Sequence, residues 1–304
     1  MKDTLMKYGV ILSKRYSRRQ KNVFLSEVVE ELKAYDKPLE IKKKKDILSK
    51  GIHCIVGDIS NADKVVIAAY DTPSKAYFFN VDYYPFHINK NIKSEKKILI
   101  SQLSLSLLLS IPFLVYAFIF KNLSQLQILY LGFITIVMLL MAAKILYGNA
   151  NKINMNRNSA SVALLIELAK LKYETNTAFI LVDNAVASFK GYREIDDFIK
   201  KDAKVMILDS LAYGEQLVCV HKKKINVDKI KNNKELDIYE RIYENTDTNT
   251  ILDSSKNVIY VGSGSLRDNQ FVVKNIRTKE DYHVNVERLE KIKDVLVNYL
   301  EDKA

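Results

Sequence analysis

Three aspartates end apolar runs in this chain: Asp71 after "VVIAAY", Asp183 after "AFILV" and Asp209 after "VMIL". Carboxylates at strand ends can hold a metal or exchange a proton, provided that suitable partners stand beside them. Zinc chemistry needs neutral imidazoles and carboxylates at about 2 Å, with a position left open for water. The four histidines, His53, His87, His221 and His283, share no ligand-like spacing, so no zinc finger can be written. His283, in "EDYHVN", reads as an exposed loop residue. No serine or cysteine sits in a recognisable nucleophile motif. The glycine-rich "VGSGSLRDN" at 261–269 lacks the lysine and following helix of a phosphate-binding loop, and reads as a hairpin turn.

The aspartate-bearing runs predict strands. "GIHCIVGDI" and "KVVIAAYD" are joined by the polar turn "SNAD"; "TAFILVDN", "KVMILDSLA", "EQLVCVHKK", "NVIYVGSG" and "QFVVKNI" follow. "TAFILVDN" is apolar throughout and is expected to be buried on both faces. Helices are predicted over "RRQKNVFLSEVVEELKAYDK", "NSASVALLIELAKLKYE", "YREIDDFIKKDA", residues 228–244 and "NVERLEKIKDVLVNYLEDKA". Val162, Leu165, Ile166 and Ala169 recur at helical spacing in the second of these. A basic strand or loop runs from the first helix to residue 50. Strands alternating with helices argue an α/β sheet covered on both faces.

The chain has 304 residues, 48% hydrophobic and 27% charged, with a formal net charge of +11. Such basicity points to nucleic acid or an anionic membrane surface. The basic clusters "KKKK" at 42–45 and "HKKK" at 221–224 have no interleaved aromatics, which favours solvated faces or lipid over nucleic acid. Cys54 and Cys219 lie in apolar, strand-like runs and read as buried, reduced thiols. The N-terminus has only a short apolar run and no cleavage-site pattern, so no signal peptide is expected.

Ile98–Phe120 carries no charge, and Ile128–Tyr147 carries only Lys144, near its end. Each matches the roughly 20 residues of a spanning helix; a pair of buried soluble helices is the alternative. Pro112 is tolerable inside a membrane helix. The seven-residue connection between the runs only turns the chain around, so a two-helix transmembrane hairpin is expected over 98–147. Lys90, Lys93, Lys96 and Lys97 precede it, Lys152 and Arg157 follow it, and the tip has Lys121 alone. The positive-inside rule then places both termini, and one discontinuous domain of 1–97 and 148–304, in the cytoplasm. Ser101, Gln102, Ser104, Ser106 and Ser110 form a small-polar stripe suited to contact with another membrane helix. Tyrosines in "FFNVDYYPFHINKN" (78–91) fit an interfacial belt or the lining of a cleft.

The order of these elements resembles the M28 family of zinc peptidases, over roughly residues 17–304 with the hairpin as an insertion. The resemblance implies a mixed central sheet, two metal ions and five motif positions. The first motif, His-x-Asp, meets Ala69-Tyr70-Asp71-Thr72, where the aspartate stands and the histidine does not. The second, whose aspartate bridges the metals, meets Arg157 and Asn158. The third, a Glu-Glu pair of general base and ligand, meets Ala185 and Val186. The fourth, an aspartate ligand, is matched by Asp209. The fifth, His-Thr-x-x-Asp, meets Arg277 in place of histidine but keeps Thr278 and Asp281. The resemblance thus leaves Asp209 as the surviving ligand and no general base, and implies no metal cofactor. Arginine repels a divalent cation. A buried Asp209 without a metal would need another cation, so Arg157 or Arg277 is expected to pair with it, unless both point to solvent or to lipid phosphates.

The expectation is a membrane-anchored, non-catalytic peptidase-like protein whose large apolar cleft binds a peptide. Its partners would be the lipid bilayer and a membrane protein such as a transporter or processing enzyme, in the export, maturation or immunity of a peptide; no nucleic acid is expected. The alternatives are an active peptidase with a remodelled metal site, for which Asp71, Asp183 and Asp209 would be the acidic groups, and a protein that binds membrane surfaces or nucleic acid through basic patches.

Overall fold

The computed structural model describes residues 1–45, 50–77, 79–119, 124–186, 189–222, 225–232, 235–243, 250–267 and 270–301. Helix α1 (Lys2–Leu5) runs into a wide helical turn at Met6–Ile11. Helix α2 (Arg18–Lys33) follows, its start closed by reciprocal hydrogen bonds between Ser17 and Gln20. Strands β1 (Leu39–Lys45), β2 (Lys50–Val56), β3 (Lys64–Ala69) and β4 (Val81–Tyr83) lead to two long helices, α3 (Ile88–Ile119) and α4 (Gln125–Tyr147). A second wide turn, Met155–Ser159, opens α5 (Ala160–Ala169). Then come β5 (Thr177–Val182), α6 (Lys190–Asp196), β6 (Lys204–Asp209), β7 (Gln216–Lys222), α7 (Asp228–Lys231) and β8 (Ile238–Tyr243). A 3-10 turn (Ile251–Ser254), β9 (Val258–Arg267), β10 (Gln270–Ile276) and α8 (Val286–Leu300) close the chain.

Alternation along β3 shows how the sheet divides the core. Val66, Ala68 and Tyr70 join one apolar cluster, with residues of α2, α5 and α8; Val65, Ile67 and Ala69 join the other, with Tyr192 and Ile195 of α6 and with Leu252. Helices therefore cover both faces, as expected for strands buried on both sides. Helix α5 is buried around almost its whole circumference, which its nearly uniform apolar sequence permits.

The sheet is mixed. Its order is β1-β2-β5-β3-β6-β9-β10-β4, with β7 joining β9 and β8 joining β7. β3 runs parallel to β5 and β6, and β6 parallel to β9, while β2 is antiparallel to β5 and β10 to β9. β3 lies between β5 and β6, so strands from either side of residues 98–147 interleave in one sheet. The register Ala69↔Val182 and Ala68↔Leu208 brings the carboxyl ends of β3, β5 and β6 to one edge. In open α/β sheets that edge is where ligands bind.

Three expectations are corrected. Residues 228–244 are not one helix: α7 has one turn, and "IYERIY" forms β8, paired in parallel with β7. Its buried ends, Ile238 and Tyr243, are β-branched and aromatic, which suits a pleated surface. The hairpin read over 261–269 joins β9 to the antiparallel β10 but turns later: Gly262 and Gly264 lie inside β9, as "NVIYVGSG" predicts. A Cβ on Gly264 would meet the Val272 carbonyl oxygen at 2.6 Å, so close strand approach requires glycine there. Residues 268–269, between β9 and β10, lie outside the described residues. Third, the helix expected from Ile98 begins at Ile88, so "INKN" is helical.

Among the described residues, α4 is the one helix long and apolar enough to cross a membrane by length and composition, and none of its most apolar stretch is buried in the molecule. Helix α3 packs along it. Phe120 and residues 121–123 of the expected tip, with Lys121, lie outside the described residues; the rest of the tip is described, and α4 begins at Gln125 rather than at Ile128. Both cysteines are free and buried.

Candidate functional site

The strands end in unusual backbone. Asn184 beyond β5, Ser210 beyond β6 and Arg277 beyond β10 all have positive φ, at 56°, 54° and 64°. Left-handed non-glycine residues cost free energy and tend to gather where a fold positions side chains for a purpose.

At the end of β6, Asp209 is 2% exposed. Arg157 reaches it from the turn before α5, its Nη1 donating to Asp209 Oδ1 at 2.5 Å. Tyr83, at the end of β4, donates its hydroxyl to Oδ2 at 2.8 Å, and Ser210 Oγ donates to Oδ1 at 3.2 Å. The Arg157 guanidinium lies over the Tyr83 ring, 3.7 Å from its centroid, and is fully buried. Among the described residues, its Nε and Nη2 have no hydrogen-bond partner. Burial pushes the Asp209 carboxyl above its usual range, while Arg157 and the Tyr83 and Ser210 hydroxyls draw it back. Burial also works against the Arg157 charge, but Asp209 and the neighbouring Tyr83, Tyr192 and Tyr260 together outweigh it and the guanidinium stays protonated. Of the two arginines, Arg157 thus pairs with Asp209. The alternative that both face solvent or lipid fails, since Arg277 too is only 2% exposed.

Arg277 instead turns its fork onto Glu95 of α3, with Nη1 to Oε2 at 3.1 Å and Nη2 to Oε1. Its backbone N–H and those of Asn156 and Arg157 donate to the buried Asp281 carboxylate, at 3.4, 3.1 and 3.0 Å. Burial pushes Asp281 up to about 7 against the pull of these N–H groups. His283 is exposed, as expected, beside the Tyr213 and Tyr282 rings.

A second group surrounds the end of β3. Asp71 accepts the backbone N–H groups of Ala185 and Val186 at 3.2 and 3.4 Å, so these two apolar residues serve it through their backbone. Asn158 Nδ2 donates to the Ala69 and Asp71 carbonyl oxygens at 3.3 and 2.8 Å. Burial, then repulsion from Asp183, pushes Asp71 up to about 6. Asp183 takes Lys21 and the Ile52 and Asn184 N–H groups. His53 meets Glu194 at 3.2 Å, and burial lowers it to about 4, so its ring is neutral.

These residues do not fit a two-metal cluster. Ala69, Ala185 and Val186 offer no side-chain donor, Arg157 puts a fixed cation on Asp209, and both Asp209 oxygens are engaged. Among the described residues, no three of His, Cys, Asp and Glu converge as a metal site. The expected large apolar cleft is also corrected: Tyr83, Tyr192, Tyr260 and Phe189 are buried in its place. What remains is a polar cleft of about 360 Å³, lined by Lys21, Asp71, Glu95, Val186, Lys190 and Arg277 among others.

Sequence reasoning missed Glu95, Tyr192 and Tyr260. Glu95 had a signal: it is the one acidic residue between residues 88 and 147, set in the lysine run "NKNIKSEKK".

No family model and no curated protein matches the chain. Solved structures do. A glutaminyl cyclase from Tannerella forsythia aligns with a TM-score of 0.60 at 9% identity, over 99% of this chain and 98% of its own. The Bacteroides thetaiotaomicron glutaminyl cyclase bound to N-acetylhistamine gives 0.59 at 10% identity, over 100% and 98%. A Zn-dependent exopeptidase from Parabacteroides distasonis gives 0.58 at 10%, over 99% and 98%. The fold is therefore M28-like. At this identity the likeness is one of fold, and function must be argued from the site.

Proposed function

We propose that this chain is a membrane-anchored, non-catalytic protein with an M28-like fold, acting as a binding or adaptor subunit of a membrane complex. The observation that carries the reading is the Arg157–Asp209–Tyr83 cluster, in which a guanidinium stands where the resemblance puts metal ions. A fixed cation neutralises the buried carboxylate without offering a position for water, so it does the structural work of a metal without Lewis-acid chemistry. The positions Ala69, Asp71, Arg157, Ala185, Val186, Asp209 and Arg277 then form a degenerate metal site. In this reading α3 and α4 are a two-pass hairpin, with both termini and the domain of 1–97 and 148–304 on the cytoplasmic side, and Arg277 fastens α3 to the old site through Glu95. Of the α3 stripe, Gln102 and Ser106 are buried within the molecule, so Ser101, Ser104 and Ser110, which are not, face a membrane-protein partner, such as a transporter or a processing enzyme. The polar cleft is the place for a peptide segment.

The test is metal content. The protein is purified in detergent, incubated with zinc, desalted and assayed by mass spectrometry beside an Asp209→Asn variant, with aminopeptidase and glutaminyl cyclase assays on the same samples. No zinc above the variant and no turnover is the expected result. Stoichiometric zinc lost in the variant, with turnover, would establish the rival reading of a peptidase with a remodelled metal site.

A further inference from the structure

The wide turn at Met6–Ile11 directs apolar side chains outward. Met6 is 56% exposed, Val10 52% and Ile11 75%, and Tyr282 beside them is 59% exposed. Val10, Ile11, Ile153 and Tyr282 line a concave face of about 520 Å³ that also carries Lys14 and Lys152. The turn is held firmly. A Cβ on Gly9 would meet Met155 Sδ at 2.7 Å, so the backbone sits against the turn before α5 and leaves Val10 and Ile11 facing out. The buried Arg15 ties the segment down through the Tyr8, Leu12 and Tyr70 carbonyl oxygens and Ser159 Oγ.

This face lies beside the end of α4. Tyr16 donates its hydroxyl to the Tyr147 carbonyl oxygen at 2.7 Å, and Asn154 Nδ2 donates to the Ser13 carbonyl oxygen at 2.9 Å. Lys152 and Ile153 follow α4 so closely that they stay within about 20 Å of Tyr147 even in a fully extended chain. Exposed aliphatic and aromatic side chains flanked by lysines suit the headgroup region of an anionic bilayer, which takes apolar groups and cations together.

We propose that Met6, Val10, Ile11 and Tyr282, with Lys14 and Lys152, dock on the anionic surface of the bilayer that α4 enters. This rests on the membrane reading above and adds a second, interfacial contact that fixes the tilt of the domain. The chain has no tryptophan, so single tryptophans report without background. Three full-chain variants are reconstituted in phosphatidylcholine–phosphatidylglycerol vesicles with lipids brominated along the acyl chain: Ile11→Trp, Leu139→Trp in α4, and Tyr239→Trp on β8 as a solvent control. Matching circular dichroism shows that all three fold. Expected is a shift of the Ile11→Trp emission to shorter wavelength and its loss with shallow bromines. Leu139→Trp is quenched by deep bromines, and Tyr239→Trp by none. Adding Lys14→Glu and Lys152→Glu to Ile11→Trp abolishes the shallow quenching. If Leu139→Trp is quenched and Ile11→Trp is not, the docking surface is overturned while the membrane reading stands. If neither is quenched, both fall. A blue-shifted but unquenched Ile11→Trp means that a second copy covers the face, and overturns the proposal.

Discussion

Replacing Arg157 by methionine tests the idea that a guanidinium holds the centre of this fold together. Arg157 is fully buried and Asp209 is 2% exposed, at 2.5 Å, so the pair belongs to the buried regime. Removing one partner of such a pair costs about 3–5 kcal/mol, because an uncompensated charge remains, whereas exposed pairs contribute about 0–1 kcal/mol. Arg157→Met should therefore lose about 3–5 kcal/mol near neutral pH. Adding Asp209→Asn should restore most of it, since no charge is then stranded. The pH dependence has a definite sign. Without Arg157, burial is opposed only by the Tyr83 and Ser210 hydroxyls and holds the folded-state pKa of Asp209 above the unfolded value of about 3.9. A group so raised contributes stability that is fully present below the unfolded pKa and is lost as pH rises through the folded one. The single variant should thus lie closer to the wild type near pH 4 than near pH 7. Urea unfolding in detergent, followed by far-ultraviolet circular dichroism, gives the four corners of the double-mutant cycle. A coupling energy below about 0.5 kcal/mol, or a cost within the exposed range, would refute the reasoning.

Two further outcomes follow from the same site. Asp71 and Asp281, pushed up to about 6 and about 7, should make the protein lose stability as pH rises from about 4 through these values, by up to about 1.4 kcal/mol per pH unit for each proton released. Asp281→Asn should flatten the part near pH 7; an unchanged slope of unfolding free energy against pH would contradict this. Glu95→Gln should weaken the fork on Arg277 by about 1.5–3 kcal/mol, seen as faster hydrogen exchange at residues 88–97 with α5 unchanged. Equal exchange in the variant would show that Glu95 does not hold α3.

The strands around the site were readable because their apolar runs are long: β3, β5 and β6, whose runs lead into aspartates, and β9 fall where "KVVIAA", "TAFILV", "KVMILD" and "NVIYVGSG" predict them. That an arginine would pair with Asp209 followed from the motif positions of the resemblance and from charge, since a buried carboxylate must find a cation; the sequence left Arg157 and Arg277 as alternatives, and the structure selects Arg157. Other features hid for physical reasons. In "IYERIY" the charged Glu240 and Arg241 fit a helix face as well as a strand, and the parallel partner β7 settles the matter. The start of α3 at Ile88 hid because "INKNIKSEKK" is polar and has no apolar period, so the helix there draws on contacts such as Glu95 with Arg277. The filling of the cleft depends on Tyr192 and Tyr260, brought from α6 and β9, which no local pattern connects.

The acids that stand at the motif positions share one property: each has a partner that is not a metal. Asp209 has Arg157 and Tyr83; Asp71 has the Ala185 and Val186 N–H groups; Asp281 has those of Asn156, Arg157 and Arg277. With Arg157 on Asp209, histidines at 69 or 277 and glutamates at 185 and 186 would have no divalent cation to ligate. Buried imidazole and carboxylate groups without ligands would then carry their full desolvation cost. Ala69, Ala185 and Val186 avoid that cost by being apolar. Arg277 avoids it by turning to Glu95, and in doing so joins the strand ends to α3. In the reading proposed above, a fixed cation at 157 suits apolar residues at 69, 185 and 186 and leaves Arg277 to hold a helix through Glu95.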